Sequence, residues 1–468
     1  MIRLLIAGLI PFAAALWAQP EEPKPAPAPL AIVDVTVIDG SSPEPRPGQT
    51  VVIEGGRIVA VGPKAQVQVP PAATTVVATG QYLIPGLWDM HVHVAGPDYF
   101  TLFVANGVTG VREMHNFFPD GLVGQRRSIQ AGRLLGPDLR IAYSLVDGPD
   151  PVWPGSLVAK DPEEARALVR RLKEKGADFV KAYTKLSPET YRALAAEAQA
   201  VGLPILGHVP ESVSAAEAAQ LGHRTMEHLY GIAVATSSQE EALRAELTRI
   251  MSLSGREAFR PLAELWLRAA ASHDDAKRDA LFELFREKGV YHCPTLTVLR
   301  SMASLDNPEF LADPRVKYMP PYILSTWKRP GGGAPAMRKL NEFHFRMVRA
   351  LHAAGVPILA GTDCTNPYVF PGFSLHDELE LLVEHGLSPH EALRAATSQA
   401  VRSLGIEQEV GAVAVGQRAD LVLLEADPLT DIRHTRRIAA VILRGQHLER
   451  SRLDELLAQV AAKFGPKE

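Results

Sequence analysis

Two histidines one residue apart, His91 and His93, close an apolar run that opens with Leu83-Ile84 in "LIPGLWDMHVH". In a β-strand, residues i and i+2 share a face, so the two imidazoles would stand side by side, a metal-ligand arrangement. The same pair in a surface loop would be two solvated side chains, and the spacing alone leaves both readings open. Four more ionisable groups sit where apolar runs end. Lys181 lies inside "ADFVKAY", His208 ends "LPILGH", His228 follows "RTME", and Asp363 lies in "VPILAGTDC". Imidazole and carboxylate are donors of hydrolytic metal sites, which turn water into a nucleophile near neutral pH. Their recurrence at run ends favours ligands over loop residues for His91 and His93.

The elements that must position these groups follow a regular pattern. From 81 to about 400, apolar runs alternate with helical stretches: "DLRIAYSLV", "DPEEARALVRRLKEKG", "ADFVKAYT", "SPETYRALAAEAQAVG", "LPILGHV". Asp161 with Pro162 behind it predicts a helix start, and Gly176 a stop. Repeated strand–helix alternation predicts a parallel sheet. Strand ends fall near His91, Glu113, Ser144, Tyr183, His208, His228, Thr295 and Thr362. Eight such ends match a (β/α)8 TIM barrel, in which groups at the C-terminal strand ends face the mouth. Residues 232–288 read as helical insertions over that mouth and 301–338 as a long loop. β-type runs return at both ends of the chain, over 30–80 and from 408 onward. The expected architecture is α/β: a barrel over 81–405 and a small β-sandwich domain built from 30–80 and 406–468. A terminal helix is expected near 451–463.

Composition sets limits on partners. The 468 residues carry a net charge of −4 and no basic stripe, which argues against a nucleic-acid partner. Cys293 and Cys364 are the two cysteines, too few for a cysteine-rich metal site. Arg3 followed by "LLIAGLIPFAAALWA" reads as a signal peptide over 1–18, and "QPEEPKPAPAP" as a Pro-rich linker over 19–29. The apolar run is short of the roughly 20 residues a membrane-spanning helix needs. The expectation is an exported protein, periplasmic or secreted, with no stable membrane insertion after cleavage. A homo-oligomer is compatible with the sequence.

The combination of "IVAVG", "LIPGLWDMHVH", "LSPHEALRAATSQAVRSLG" and "VGQRADLVLLEADPL" resembles the amidohydrolase superfamily, near its imidazolonepropionase-like and Xaa-Pro dipeptidase-like members. The likeness runs from residue 30 to about 450. It implies two divalent metal ions, zinc by default. His91, His93 and Asp363 would hold one, His208 and His228 the other, with carbamylated Lys181 as the bridge. It also implies cleavage of a C–N amide bond in a small substrate, such as a dipeptide, an N-acyl amino acid or a related amide. A hydroxide shared by the metals would attack, and Asp363 would carry the proton to the leaving nitrogen.

Charge supports the carbamate independently. With an ammonium at Lys181 the centre would carry roughly +3, and with a carbamate roughly +1. Two departures temper the likeness. The segment "YSLVDGPDPVWPG" lacks the histidine that dipeptidase-like relatives carry after the third strand. "HVPE" places Glu211 at the spacing of single-metal deaminases, so the alternative is a mononuclear deaminase or cyclic-amide hydrolase. Tyr183 and Tyr230 adjoin the ligand candidates as either substrate contacts or packing. His115 stays unassigned, and His223, at an odd offset from His228, is expected to face away.

Overall fold

A computed structural model describes residues 28–253, 257, 259–327 and 333–465. The expected signal peptide and all but the last two residues of the expected linker lie outside them. The molecule is a mixed α/β structure with parallel-strand sheets. The strands Leu87–Val92, Val108–Glu113 and Asp138–Ile141 form one parallel sheet. A second parallel sheet contains Leu145–Asp147, Val180–Ala182, Ile205–Gly207, His223–Glu227 and Tyr291–Cys293, with the short strand Leu157–Val158 at its edge. Most of these strands are buried throughout, which is why they read as apolar runs rather than alternating ones.

The segment expected as the eighth strand runs between the two sheets without forming a continuous ladder. On one side Met90 N–H donates to Ala360 O, Asp363 N–H to His91 O and His93 N–H to Cys364 O. On the other, His292 N–H donates to Pro357 O and Leu359 N–H to His292 O. Buried Asp89 pins it further: its carboxylate accepts from Thr362 N–H at 2.9 Å and Thr362 Oγ1–H at 2.7 Å. Gly361 is required here, because a Cβ would lie 2.5 Å from Cys293 Sγ and 2.8 Å from His91 N. The close approach delivers Asp363 to the first strand.

Helices connect the parallel strands as the capping signals predict. Asp161 accepts from Glu163 N–H and Glu164 N–H and starts the helix Pro162–Glu174. The helices Ile232–Ala235, Glu240–Met251, Phe259–Ala271 and Asp275–Lys288 occupy the expected insertion. The stretch 301–338, expected as a loop, instead holds short helices, Pro308–Leu311, Pro314–Tyr318 and Pro321–Thr326, between Leu296–Ser304 and Ala334–Ala353. Asn307 with Pro308, Asp313 with Pro314, and Pro320 with Pro321 are helix starts rather than loop residues. Asn307 accepts from Glu309 N–H and Asp313 from Arg315 N–H, each with a proline following.

Both chain ends meet in one eight-stranded sheet. The strand Tyr82–Pro85 joins them, pairing antiparallel with Leu421–Leu424 and parallel with the end of Leu30–Val37. A separate apolar cluster that includes Ile32, Val51, Leu83, Leu421 and Ile442 holds this sheet. The C-terminal helix spans Arg450–Phe464. Among the described residues no helix is long and apolar enough to cross a membrane.

His223 is buried against Tyr191 of the helix Pro188–Ala200. Its Nδ1 lies 2.8 Å from Tyr191 Oη and its Nε2 3.0 Å from Thr225 O, so the neutral ring accepts at Nδ1 and donates at Nε2. Burial pushes its pKa down to about 4. The ordinary value is about 6.5, so the stability this neutral ring contributes is complete above that pH and lost as pH falls toward 4. The contribution is on the order of 3 kcal/mol. The difference in unfolding free energy between wild type and His223→Leu is therefore expected to be constant above neutral pH and to shrink below 6.5. A difference independent of pH in denaturant titrations would refute this role.

Candidate active site

All six groups singled out in the sequence meet at one end of the parallel strands. His91 Nε2 lies 3.5 Å and His93 Nε2 3.2 Å from Asp363 Oδ1. Lys181 Nζ lies 3.4 Å from His91 Nε2, and His228 Nδ1 3.8 Å from Asp363 Oδ2. The ring of His208 is 5.0 Å from that of His228. His91, His93 and Asp363 each offer a ligand atom within 4.8 Å of the others.

Backbone geometry accounts for the convergence. Lys181 is in register with Leu145 and Leu206 on the neighbouring strands, and His208 follows Gly207 at positive φ. A Cβ at Gly207 would lie 2.4 Å from Ala182 O, so a larger residue there would push the strand carrying His208 away from the one carrying Lys181. His228, Thr295 and Asp363 all have positive φ without being glycine, a cluster of strained residues at one place. Each is held by a specific contact. His228 N–H donates to Cys293 O, His228 Nδ1 lies 2.6 Å from Thr295 Oγ1, and Asp363 N–H donates to His91 O.

The electrostatics suit a cation. Burial, reinforced by the Lys181 charge, pushes His91 well below the ordinary imidazole range. Burial and His228 do the same to His208, and burial takes His228 down to about 4. The imidazoles therefore keep the lone pairs a metal requires. Burial would raise the Asp363 carboxyl, but His228 and His93 beside it hold it below its usual value. Burial lowers Lys181 to about 8. The donor set fits a divalent metal of imidazole and carboxylate preference.

Three arrangements of side chains escaped the sequence. Glu227 Oε2 lies 2.7 Å from His91 Nδ1, and Arg112 Nη2 donates to Glu227 Oε1 at 2.7 Å, all of it buried. Arg112 Nε–H donates to Met90 O at 2.6 Å, tying the guanidinium to the strand of His91. The carboxylate accepts from Nδ1–H and so leaves Nε2 with its lone pair toward Asp363. Cys293 also stands within ligand reach of His91 and Glu227. Burial pushes its thiol well up, however, so it faces them as a neutral group. Second, Tyr183 and Tyr230 sandwich the His208 ring, each with centroids 4.1 Å away. Third, His344 lines the cavity from the helix Ala334–Ala353 with Nδ1 unpartnered among the described residues. His115 likewise lines it, with Nε2 unpartnered.

Glu227→Gln removes the charge and leaves one amide oxygen to serve both His91 and Arg112. Loss of such an orienting partner typically costs about 10–100-fold in metal affinity. That range is the expected result in a chelator competition. Wild-type affinity would mean that Glu227 does not orient His91.

Parallel strands ending in imidazoles, a carboxylate and a buried lysine bring together the donor types that hydrolytic metal sites use. The amidohydrolase family model matches residues 82–448. Ochratoxinase of Aspergillus niger is 23% identical over 417 residues, covering 75% of this chain and 72% of that protein. Imidazolonepropionase of Rubrobacter xylanophilus is 27% identical over 402 residues, covering 81% and 84%. The solved structure of a bottromycin amidohydrolase superposes with TM-score 0.73 at 24% identity, covering 93% of this chain and 91% of that one. The chain belongs to the amidohydrolase family and is a hydrolase acting on carbon–nitrogen bonds. The family is generally metal-dependent, and the ligand-bearing residues are present here.

Proposed function

We propose that the protein is an exported binuclear amidohydrolase that cleaves a C–N amide bond in a small substrate. The observation that carries the reading is the convergence of His91, His93, Lys181, His208, His228 and Asp363 at one end of the parallel strands. His91, His93 and Asp363 would hold one divalent ion, His208 and His228 the second, with Lys181 as a carbamate between them. An amine whose pKa is lowered by burial is more often unprotonated, the form that adds carbon dioxide. Zinc suits these donors. Bound there, the metals would acidify water and polarise the substrate carbonyl. Asp363, kept ionised by its histidine neighbours, takes the proton of the attacking water and hands it to the departing nitrogen. Tyr183 and Tyr230 hold His208 in one plane and close its flanks to solvent.

The two parallel sheets are read as arcs of one barrel, with the segment 357–364 as its eighth strand. The eight-stranded end sheet is read as the sandwich domain, with the barrel spanning 81–405. Export rests on the apolar stretch that ends at Ala18. The test is metal analysis of the purified protein with a screen of amides. About two metals per chain and release of an amine support the reading. One metal with ammonia release would favour the deaminase reading.

A further inference from the structure

The cavity above the six groups has a volume of about 470 Å³, the size of a site for a drug-sized molecule. Its floor is polar, but the walls that the insertions add are not. Val234, Trp266, Leu299, Met302, Trp327 and Leu340 all face it. The apolar lining continues to the rim, where Phe117 and Trp153 line the cavity while 59% and 39% exposed. Single exposed apolar residues are ordinary, but a rim continuous with an apolar chamber is an entry surface.

Three arginines of the described wall segments are turned away and occupied. Leu299 faces inward, while its neighbour Arg300 reaches Asp377 at 3.5 Å. Met337 faces inward, while Arg338 pairs with Asp306 at 2.8 Å. Arg315 is taken by Asp313 and Asp377, both at 2.7 Å. Among the described residues lining the cavity, Lys181 is the only lysine or arginine, and it belongs to the metal floor. The other charged lining groups there, Asp363 and Glu211, are acidic. A substrate carboxylate in this chamber would lose its hydration without gaining a lysine or arginine partner among the described residues beyond Lys181.

We infer that the substrate carries a bulky, uncharged apolar group beside the scissile bond and no free carboxylate. It would be a lipophilic aryl or alkyl amide rather than a dipeptide or N-acyl amino acid. The inference rests on the amide-hydrolase reading for its chemistry, but the chamber's preference can be measured without turnover.

The test uses the metal-loaded wild-type protein and two matched anilides of 4-phenylbutanoic acid. One bears a para-carboxamide on the aniline ring, the other a para-carboxylate. Reduced-amide isosteres of both, with CH2–NH in place of CO–NH, are titrated in parallel by quenching of tryptophan fluorescence. Both kcat/KM and isostere affinity are expected to favour the neutral twin by about tenfold or more, as an unpaired buried charge requires. Replacing the phenylbutanoyl group with acetyl is expected to lower kcat/KM in step with the apolar surface lost. Equal or better handling of the carboxylate twin, or binding of neither isostere, overturns the inference. If the carboxylate twin is cleaved faster, the amide-hydrolase reading survives and only the inference fails. If the neutral isostere binds preferentially and no amide is cleaved, the chamber is as inferred and the amide-hydrolase reading fails.

Discussion

Asp363→Asn is expected to lower kcat by about 10²–10⁴-fold, the usual worth of general acid–base catalysis, while metal content changes far less. The substitution separates two roles that one carboxylate is asked to fill. Asparagine keeps the size and one oxygen, so contacts such as those to His93 Nε2 and His91 Nε2 can be retained. It cannot accept the proton of an attacking water. The pH profile gives a second handle. His228 and His93 hold the Asp363 carboxyl below its ordinary value. A loss of kcat/KM near neutral pH therefore belongs to another group. Steady-state kinetics with metal analysis of the same samples make the check. A near-normal kcat with the metals retained would move the proton to a different residue. Glu211 is next in line: it lines the cavity, burial pushes it up to about 7, and its Oε1 is unpartnered among the described residues.

The six candidate groups were legible because each ends an apolar run, and parallel strands buried on both faces write themselves as such runs. The helix from Pro162 was legible because Asp161 and its proline are local signals. Glu227 was not. It adjoins His228, and strand alternation would send the two to opposite faces. Left-handed backbone at His228 and Leu229 breaks the alternation and lets both serve one site. Arg112 is 115 residues from Glu227, and no local pattern encodes a contact of that range. The segment 301–338 reads as a loop for the opposite reason. Its Pro, Asn and Asp residues are the same in a loop and in the first turns of short helices, and only tertiary packing decides. Specificity was least legible of all. The alternation of Leu299 with Arg300 and of Met337 with Arg338 looks like any amphipathic helix until the cavity on one side is visible.

Lys181→Ala is expected to leave one metal or fewer per chain and to lower kcat by about 10³-fold, since each metal contributes several kcal/mol. A lysine buried in a central strand with no carboxylate bonded to it is rare among soluble proteins. Among the described residues its amine has one hydrogen-bond neighbour, His91 Nε2 at 3.4 Å, and two ammonium-repelled metals would make that worse. As a carbamate the same side chain becomes an acceptor with two oxygens, and its burial becomes useful. Two metals would then depend on it, so its removal undoes the centre rather than one contact. Short carboxylic acids added to Lys181→Ala are expected to restore part of the metal content and rate, because they supply the missing bridge. Glu211→Gln, in the same assays, is expected to keep its metals and most of its rate. The opposite ranking, with Lys181→Ala active on one metal and Glu211→Gln inactive, would place proton transfer on Glu211. The site would then be a single-metal deaminase centre with a buried structural lysine.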